Sequence, residues 1–180
     1  MAEGEPALAA LSDQVATGVL DAELAALLSV LVERGVPLVV ASRAPEAASA
    51  LRAALTGAAG GVLLADSLEE VLRLSGAAPG AVPDELREMG LVLVVRAVEG
   101  GAPRLVAGHY IRRLERDAGG HVQRRPPAVL AAWSEREGRL EHFYWGITAE
   151  LADHAGLGLA DLERERRSLA ARMAHLGHSR

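Results

Sequence analysis

The chain of 180 residues contains no lysine, so all nineteen of its Lys and Arg residues are arginine. A phosphate-binding loop of the usual kind needs glycines that expose backbone N–H groups and a lysine that reaches the terminal phosphates. The absence of lysine therefore excludes a standard phosphate-binding loop anywhere in the sequence.

Cysteine is also absent, which excludes disulfide bonds, zinc–thiolate sites and a cysteine nucleophile. Residues 1–6 are acidic rather than basic, unlike the start of a secretory signal peptide. Charged residues or glycine interrupt each apolar stretch before it reaches the roughly 18 residues that span a bilayer. These absences predict a cytoplasmic protein with no membrane span.

The formal net charge of −5 is unevenly distributed. Residues 104–139 contain eight arginines and four acids, so this segment carries +4 and the remaining residues together carry −9. All five aromatic residues lie between Tyr110 and Trp145. The change of composition near residue 90 predicts two structural halves, residues 1–90 and 91–180, within one compact unit.

The first half alternates helix and strand signals. Asp21 suits the N-cap of a helix, Pro45 suits the first position of the next helix, and Ser67 opens a third helix with a capping-box pattern. Two short apolar runs are typical of strands that are buried on both faces of a parallel sheet. Helices are predicted at residues 21–34, 45–55, 67–74 and 83–89, and strands at residues 36–41 and 61–65. This order predicts an α/β fold with a reduced parallel sheet.

The second half shows the shorter period of antiparallel strands, followed by two closing helices. Turn residues separate apolar or alternating segments that we interpret as hairpins. Strands are predicted at residues 91–96, 104–114, 129–133 and 140–145, and helices at residues 148–155 and 159–176. The fold class predicted for the whole chain is therefore α/β, with a parallel sheet, an antiparallel β segment and two C-terminal helices.

This order of elements resembles the C-terminal motor domain of the type II and type IV secretion ATPases, which include the pilus and archaellum assembly motors. Residues 21–41 resemble the helix and strand that lead into the family's phosphate-binding loop, and residues 42–55 occupy the position of that loop and its helix. Residues 64–74, which begin Leu-Ala-Asp-Ser, resemble the family's His-Ala-Asp-Ser segment. Residues 91–133 resemble the paired strands of archaeal-type members. The resemblance covers residues 19–176 and implies a P-loop or RecA-like core.

The chain departs from the family at the residues that carry the chemistry. In the loop that begins with Ser42 and Arg43, Ala48 stands in the position of the lysine. Ser49 stands in the position of the magnesium-binding hydroxyl, and Leu64 replaces the histidine. The connection after Leu55 is too short for the acidic segments that hold magnesium and polarise water. Because a motor needs all of these parts together, the resemblance implies a catalytically silent relative that uses no cofactor.

An arginine cluster in the second half is the best candidate for a partner-binding surface. Guanidinium groups bind carboxylate or phosphate through two parallel hydrogen bonds. In a separate aromatic patch, alternation places Tyr144 on the strand face opposite Phe143 and Trp145; one face is expected in the core and the other at a partner contact, for which Tyr144 is the candidate. The alternatives for the cluster are a solvated face with internal ion pairs, an acidic protein partner, and nucleic acid, which the acidity of the whole chain disfavours. The cluster comprises Arg112, Arg113, Arg116, Arg124 and Arg125.

His109, His121 and His142 lack the spacing of a metal site, so no metal is expected. The sequence thus favours a non-catalytic adaptor or regulatory subunit that binds proteins, among them an active secretion-type ATPase or itself. The alternatives are a small nucleotide-binding protein that holds phosphate with Arg43 at the start of the 45–55 helix, or a nucleic-acid binder. Loss of ligand affinity in Arg43→Ala would distinguish the nucleotide-binding alternative.

Overall fold

A computed structural model describes residues 4–55, 59–75, 90–98, 101–113, 115–116, 119–123 and 125–177. The helix predicted at residues 83–89 and the loop before it lie outside the described residues, as does Arg124. The turn predicted at residues 117–120 is described only in part.

The described residues form six α-helices, one 3-10 helix and eight strands. The helices are α1 (Gly4–Ala16), α2 (Ala22–Glu33), α3 (Pro45–Ala54), α4 (Leu68–Leu74), α5 (Thr148–His154), α6 (Leu159–Gly177) and the 3-10 helix (Tyr144–Ile147). The strands are β1 (Leu38–Ser42), β2 (Val62–Leu63), β3 (Leu91–Arg96), β4 (Arg104–Tyr110), β5 (Glu115–Arg116), β6 (Val122–Gln123), β7 (Ala128–Ser134) and β8 (Arg139–His142).

Six of the strands form one mixed sheet in the order β2-β1-β3-β4-β7-β8, while β5 and β6 pair separately. Strands β2 and β3 both run parallel to β1, and the pairs β3–β4, β4–β7 and β7–β8 are antiparallel. The α/β class is therefore confirmed. Strand β3 was predicted only as part of a hairpin, but it also pairs with β1 from Leu38↔Leu91 to Ser42↔Val95. The two halves of the sequence consequently share one sheet.

The sheet is covered on both faces by apolar clusters, which explains why β1 and most of β3 are buried. The larger cluster joins Leu38, Val40, Leu91 and Leu93 to the buried sides of α1, α2, α3, α5 and α6. The smaller cluster, on the opposite face, joins residues such as Val39 and Val92 to Val71 of α4. Continuous apolar strands are expected where both faces of a sheet are buried.

Three helix starts that the sequence predicts, at Asp21, Pro45 and Ser67, are confirmed. The Asp21 carboxylate accepts a hydrogen bond from the Leu24 N–H at 2.9 Å, and the Ser67 hydroxyl accepts one from the Glu70 N–H at 3.2 Å. Pro45 is the first residue of α3. The capping box is altered at α4, because Glu70 accepts from the Asp66 N–H rather than from that of Ser67.

Two of the predicted strand ends are wrong, and helix α1 was not predicted. Strand β4 ends at Tyr110 instead of residue 114. Strand β8 ends at His142, and a 3-10 helix follows, so residues 143–145 do not alternate between two sheet faces as a strand would. The helices at residues 148–155 and 159–176 agree with α5 and α6 within one residue.

Two adjacent glycines before β2 provide a test of the close approach between this segment and β1. Gly60 has φ +122°, and a Cβ there would overlap the Leu38 carbonyl oxygen, whereas a Cβ on Gly61 has open space. We expect Gly60→Ala to lower the free energy of unfolding by at least about 2 kcal/mol. Gly61→Ala should change it by less than about 0.5 kcal/mol. Urea denaturation of both variants measures the difference. Equal effects would contradict the close contact between Gly60 and the Leu38 backbone.

Candidate functional site

The carboxyl ends of β1, β2 and β3 meet at one edge of the sheet, because these three strands are parallel. Open α/β sheets bind ligands in the crevice outside the carboxyl ends of their strands. The segments that follow these strands contain Arg43, Asp66 and Glu70, and Arg96 is the last residue of β3. We call these four residues the carboxyl-edge cluster and treat this edge as the candidate functional site.

The loop between β1 and α3 occupies the position that the resemblance predicts for a phosphate-binding loop. It is short, and one of its backbone N–H groups is already hydrogen-bonded within the loop. Ser42 is fully buried, and its hydroxyl accepts a hydrogen bond from the Ala44 N–H at 3.0 Å. Ala44 is the N-cap of α3 and offers no capping side chain. Ala48 is buried in the core, and Ser49 is exposed. Ala48, which the resemblance aligns with the family's lysine, thus belongs to the core, and Ser49, which it aligns with the magnesium-binding hydroxyl, lies on the solvent side of α3.

Arg43 crosses this edge and binds carboxylates that follow β2. Its Nη2 atom lies 2.5 Å from Glu70 Oε1, and its Nε atom lies 3.9 Å from Asp66 Oδ2. The second Glu70 oxygen accepts the Asp66 N–H at 3.0 Å. This hydrogen bond, followed by the charge and hydrogen bond of Arg43 and the charge of Arg73, lowers the pKa of Glu70 against the opposing effect of burial. Glu70 therefore holds Arg43 as an ionised carboxylate.

A crevice of about 320 Å³ lies beside the cluster on the α4 face of the sheet. Asp66, Ser67 and Arg96 form part of its wall, and the Arg96 guanidinium donates to the Asp66 carbonyl at 3.1 Å. His109 also lines the crevice, and burial lowers the pKa of its imidazole, which favours the neutral ring. The crevice therefore combines a cation, the two carboxylates of Asp66 and Glu135, and a neutral imidazole. Within the described part of the chain, no group of three His, Asp or Glu side chains could hold a metal ion.

The predicted arginine cluster is only partly described, and two of its members bind a single acid. Arg112 Nε lies 3.1 Å from Glu150 Oε2, a charge contact in which the N–H is not aligned for a hydrogen bond. Arg125 Nη1 donates to Glu150 Oε1 at 3.3 Å. Arg113 is exposed. Arg116 lies in β5, but its side chain is outside the described part of the structure, and Arg124 is outside it altogether. Internal pairing with α5 thus occupies two of the five arginines.

Tyr144 does not form the exposed contact that the strand pattern predicted. It begins the 3-10 helix and is 9 % exposed, because β8 has ended and the chain turns the ring into the core. The ring meets the edge of His142, with the two centroids 5.5 Å apart. Its neighbours Phe143 and Trp145 are instead 43 % and 77 % exposed. Tyr144 is therefore largely buried, and Trp145 is the accessible ring of this segment.

The sequence analysis did not predict that Asp66, Glu70 and Arg96 belong to the candidate site. Glu70 was interpreted as part of a helix cap, and Asp66 as part of the resemblance and of a disfavoured catalytic set with Ser42 and His109. Their position directly after a predicted parallel strand was a usable signal, because such residues collect at the carboxyl edge of a sheet.

Comparison of the chain with protein-family models finds no match, and a comparison with curated proteins also finds none. Among the described helices, none has the length and apolar composition needed to cross a bilayer.

The pKa of Glu70, followed by carboxyl carbon NMR, tests the carboxyl-edge cluster. We expect a value below that of an ordinary glutamate, so the ionised form favours folding above the unfolded-state pKa. This contribution is lost as the pH falls through the lower, folded-state value. Arg43→Ala should raise the pKa, although the Asp66 N–H keeps it lowered. Arg73→Ala, the matched control, should raise it less. An ordinary or raised pKa in the wild-type protein would contradict the pairing.

Proposed function

We propose that the chain is a non-catalytic relative of the secretion-type ATPases that acts as an adaptor or regulatory subunit through protein–protein contacts. The observation that carries this proposal is the ion pair between Arg43 and Glu70 at the edge where a motor would hold phosphate. A guanidinium that already binds a carboxylate must give up that bond before it can bind phosphate. The P-loop or RecA-like ancestry belongs to the same proposal and rests on the resemblance, together with the parallel strands β1, β2 and β3.

The start of α3 also disfavours phosphate. A helix N-terminus attracts anions because its first N–H groups are free and its dipole is positive. Here Glu46 lies in the first turn and supplies a negative charge of its own. No lysine is present anywhere in the chain to offset it. These features support a role in which the parallel-sheet core serves as a scaffold.

The aromatic residues after β8 are the surface on which a protein partner fits best. Trp145 is 77 % exposed, and Phe143, two residues earlier, is 43 % exposed. Tryptophan is enriched among the residues that contribute most to protein–protein binding, because a large ring buries much apolar area at low entropic cost. The buried Tyr144 between them holds the turn against the core. We therefore assign partner binding to Trp145 and Phe143.

A second candidate function, small-nucleotide binding, is favoured by the crevice beside Arg96 and Ser67. Its volume of about 320 Å³ lies within the range of small-molecule sites. Asp66, which also lines it, is less compatible with a polyphosphate than with an uncharged or cationic group. We rank this function below the adaptor function for that reason.

Substitution of Trp145 tests the adaptor function. Binding of the purified chain is measured by calorimetry against the motor domain of a secretion-type ATPase from the same organism, and by sedimentation against itself. We expect one of the two associations to occur and Trp145→Ala to weaken it by about 2 kcal/mol or more.

Leu64→Ala is the matched control. Leu64 is 57 % exposed and follows β2, which is the outermost strand on the side of the sheet away from β8. It should leave binding unchanged. Absence of both associations, or equal loss in the two variants, would contradict the proposal.

A further inference from the structure

A cavity of about 440 Å³ lies between the turn that joins α1 to α2 and the strands β4, β7 and β8. We call it the α1–α2 cavity. The turn is fixed to the sheet, because the Leu105 N–H donates to the Val19 carbonyl at 2.8 Å. Apolar walls come from side chains such as Val15, Leu20 and Leu140.

Two arginines line this cavity without a carboxylate partner in the part of the chain that the structure describes. Neither Arg104 nor Arg139 forms an ion pair with any acid among the described residues. Arg104 lies instead over the ring of Trp133, with its Cζ atom 3.8 Å from the ring centroid. This stacking holds the guanidinium in place while its N–H groups keep their capacity to bind an anion.

The single acid that lines the cavity is already engaged. One oxygen of Asp21 accepts the Leu24 N–H at 2.9 Å, and the other lies 2.7 Å from Nε2 of His142. Among the described residues, the cavity wall thus contains two arginines without an ion-pair partner, whereas its carboxylate has both oxygens satisfied.

We propose that the α1–α2 cavity binds a small organic anion. Its oxyanion binds the guanidinium groups of Arg104 and Arg139, and its apolar body packs against Leu20 and Leu140. A carboxylate and a phosphate share the required chemistry, since each presents two oxygens to a guanidinium fork. Apolar walls with a few placed polar groups are the usual composition of a small-molecule site. No residue of the carboxyl-edge cluster or of the Trp145 surface lines this site, and it does not depend on the adaptor function. Trp133 also lines the crevice beside Arg96, so the loss of binding in an Arg139 variant is what assigns a fluorescence change to the α1–α2 cavity.

Fluorescence of Trp133 gives a direct test. The chain has two tryptophans, and Trp145→Phe leaves Trp133 as the only one. This variant is titrated at constant ionic strength with benzoate, phenyl phosphate, inorganic phosphate and benzyl alcohol. We expect a saturable change with benzoate or phenyl phosphate, and the tighter of the two identifies the oxyanion. Inorganic phosphate, which has no apolar body, and benzyl alcohol, which has no charge, should each bind at least about tenfold more weakly.

Two arginines on the same hairpin provide matched variants in that background. Arg139→Ala should weaken binding about tenfold or more, because a charge-assisted hydrogen bond is lost. Arg136→Ala should not, since Arg136 pairs with Glu137 and does not line the cavity. Both positions are exposed, so both variants should fold. No saturable change with either aromatic anion, equal binding by inorganic phosphate, or equal loss in the two variants would overturn the proposal.

Discussion

The pairing of β3 with two different neighbours is the constraint on which the rest of the structure depends. Strand β3 runs parallel to β1 on one side and antiparallel to β4 on the other. Five of its six residues are buried, so its backbone groups must find partners in both neighbouring strands. This pairing joins the two halves of the chain, and it places Arg96 next to the segments that follow β1 and β2. The carboxyl-edge cluster is therefore a consequence of the sheet.

The arginines of this chain have different surroundings, and the differences carry the functional argument. Arg43 and Arg125 bind acids of other elements, and Arg166, which is nearly buried, contacts both Glu23 and Glu163. In these positions the guanidinium group ties helices and loops together. Arg104 and Arg139 have no such partner among the described residues and border a cavity. Arginine in a lysine-free chain thus serves as a structural cation in some places and remains available for a ligand in others.

The helix starts that the sequence predicted depend on local interactions, whereas the contacts of the candidate site that it missed depend on distant ones. Asp21, Pro45 and Ser67 mark helix starts because a cap involves residues within one turn. The bond between Arg43 and Glu70 joins residues 27 positions apart and exists only because β1 and β2 are parallel neighbours. Tyr144 was misplaced because alternation holds only while a strand continues, and β8 had ended at His142. Leu8 and Leu11 of α1 gave too short an apolar pattern to predict that helix.

We propose that the ion pair between Arg43 and Glu70 closes the carboxyl edge to phosphate. Calorimetric titration of the wild-type chain and of Arg43→Ala with ATP and ADP, each with magnesium, tests this proposal most directly. We expect no saturable heat with either nucleotide at millimolar concentration, in either protein. Saturable binding by the wild-type chain that is lost in Arg43→Ala would contradict it, because Arg43 would then leave Glu70 to hold a phosphate.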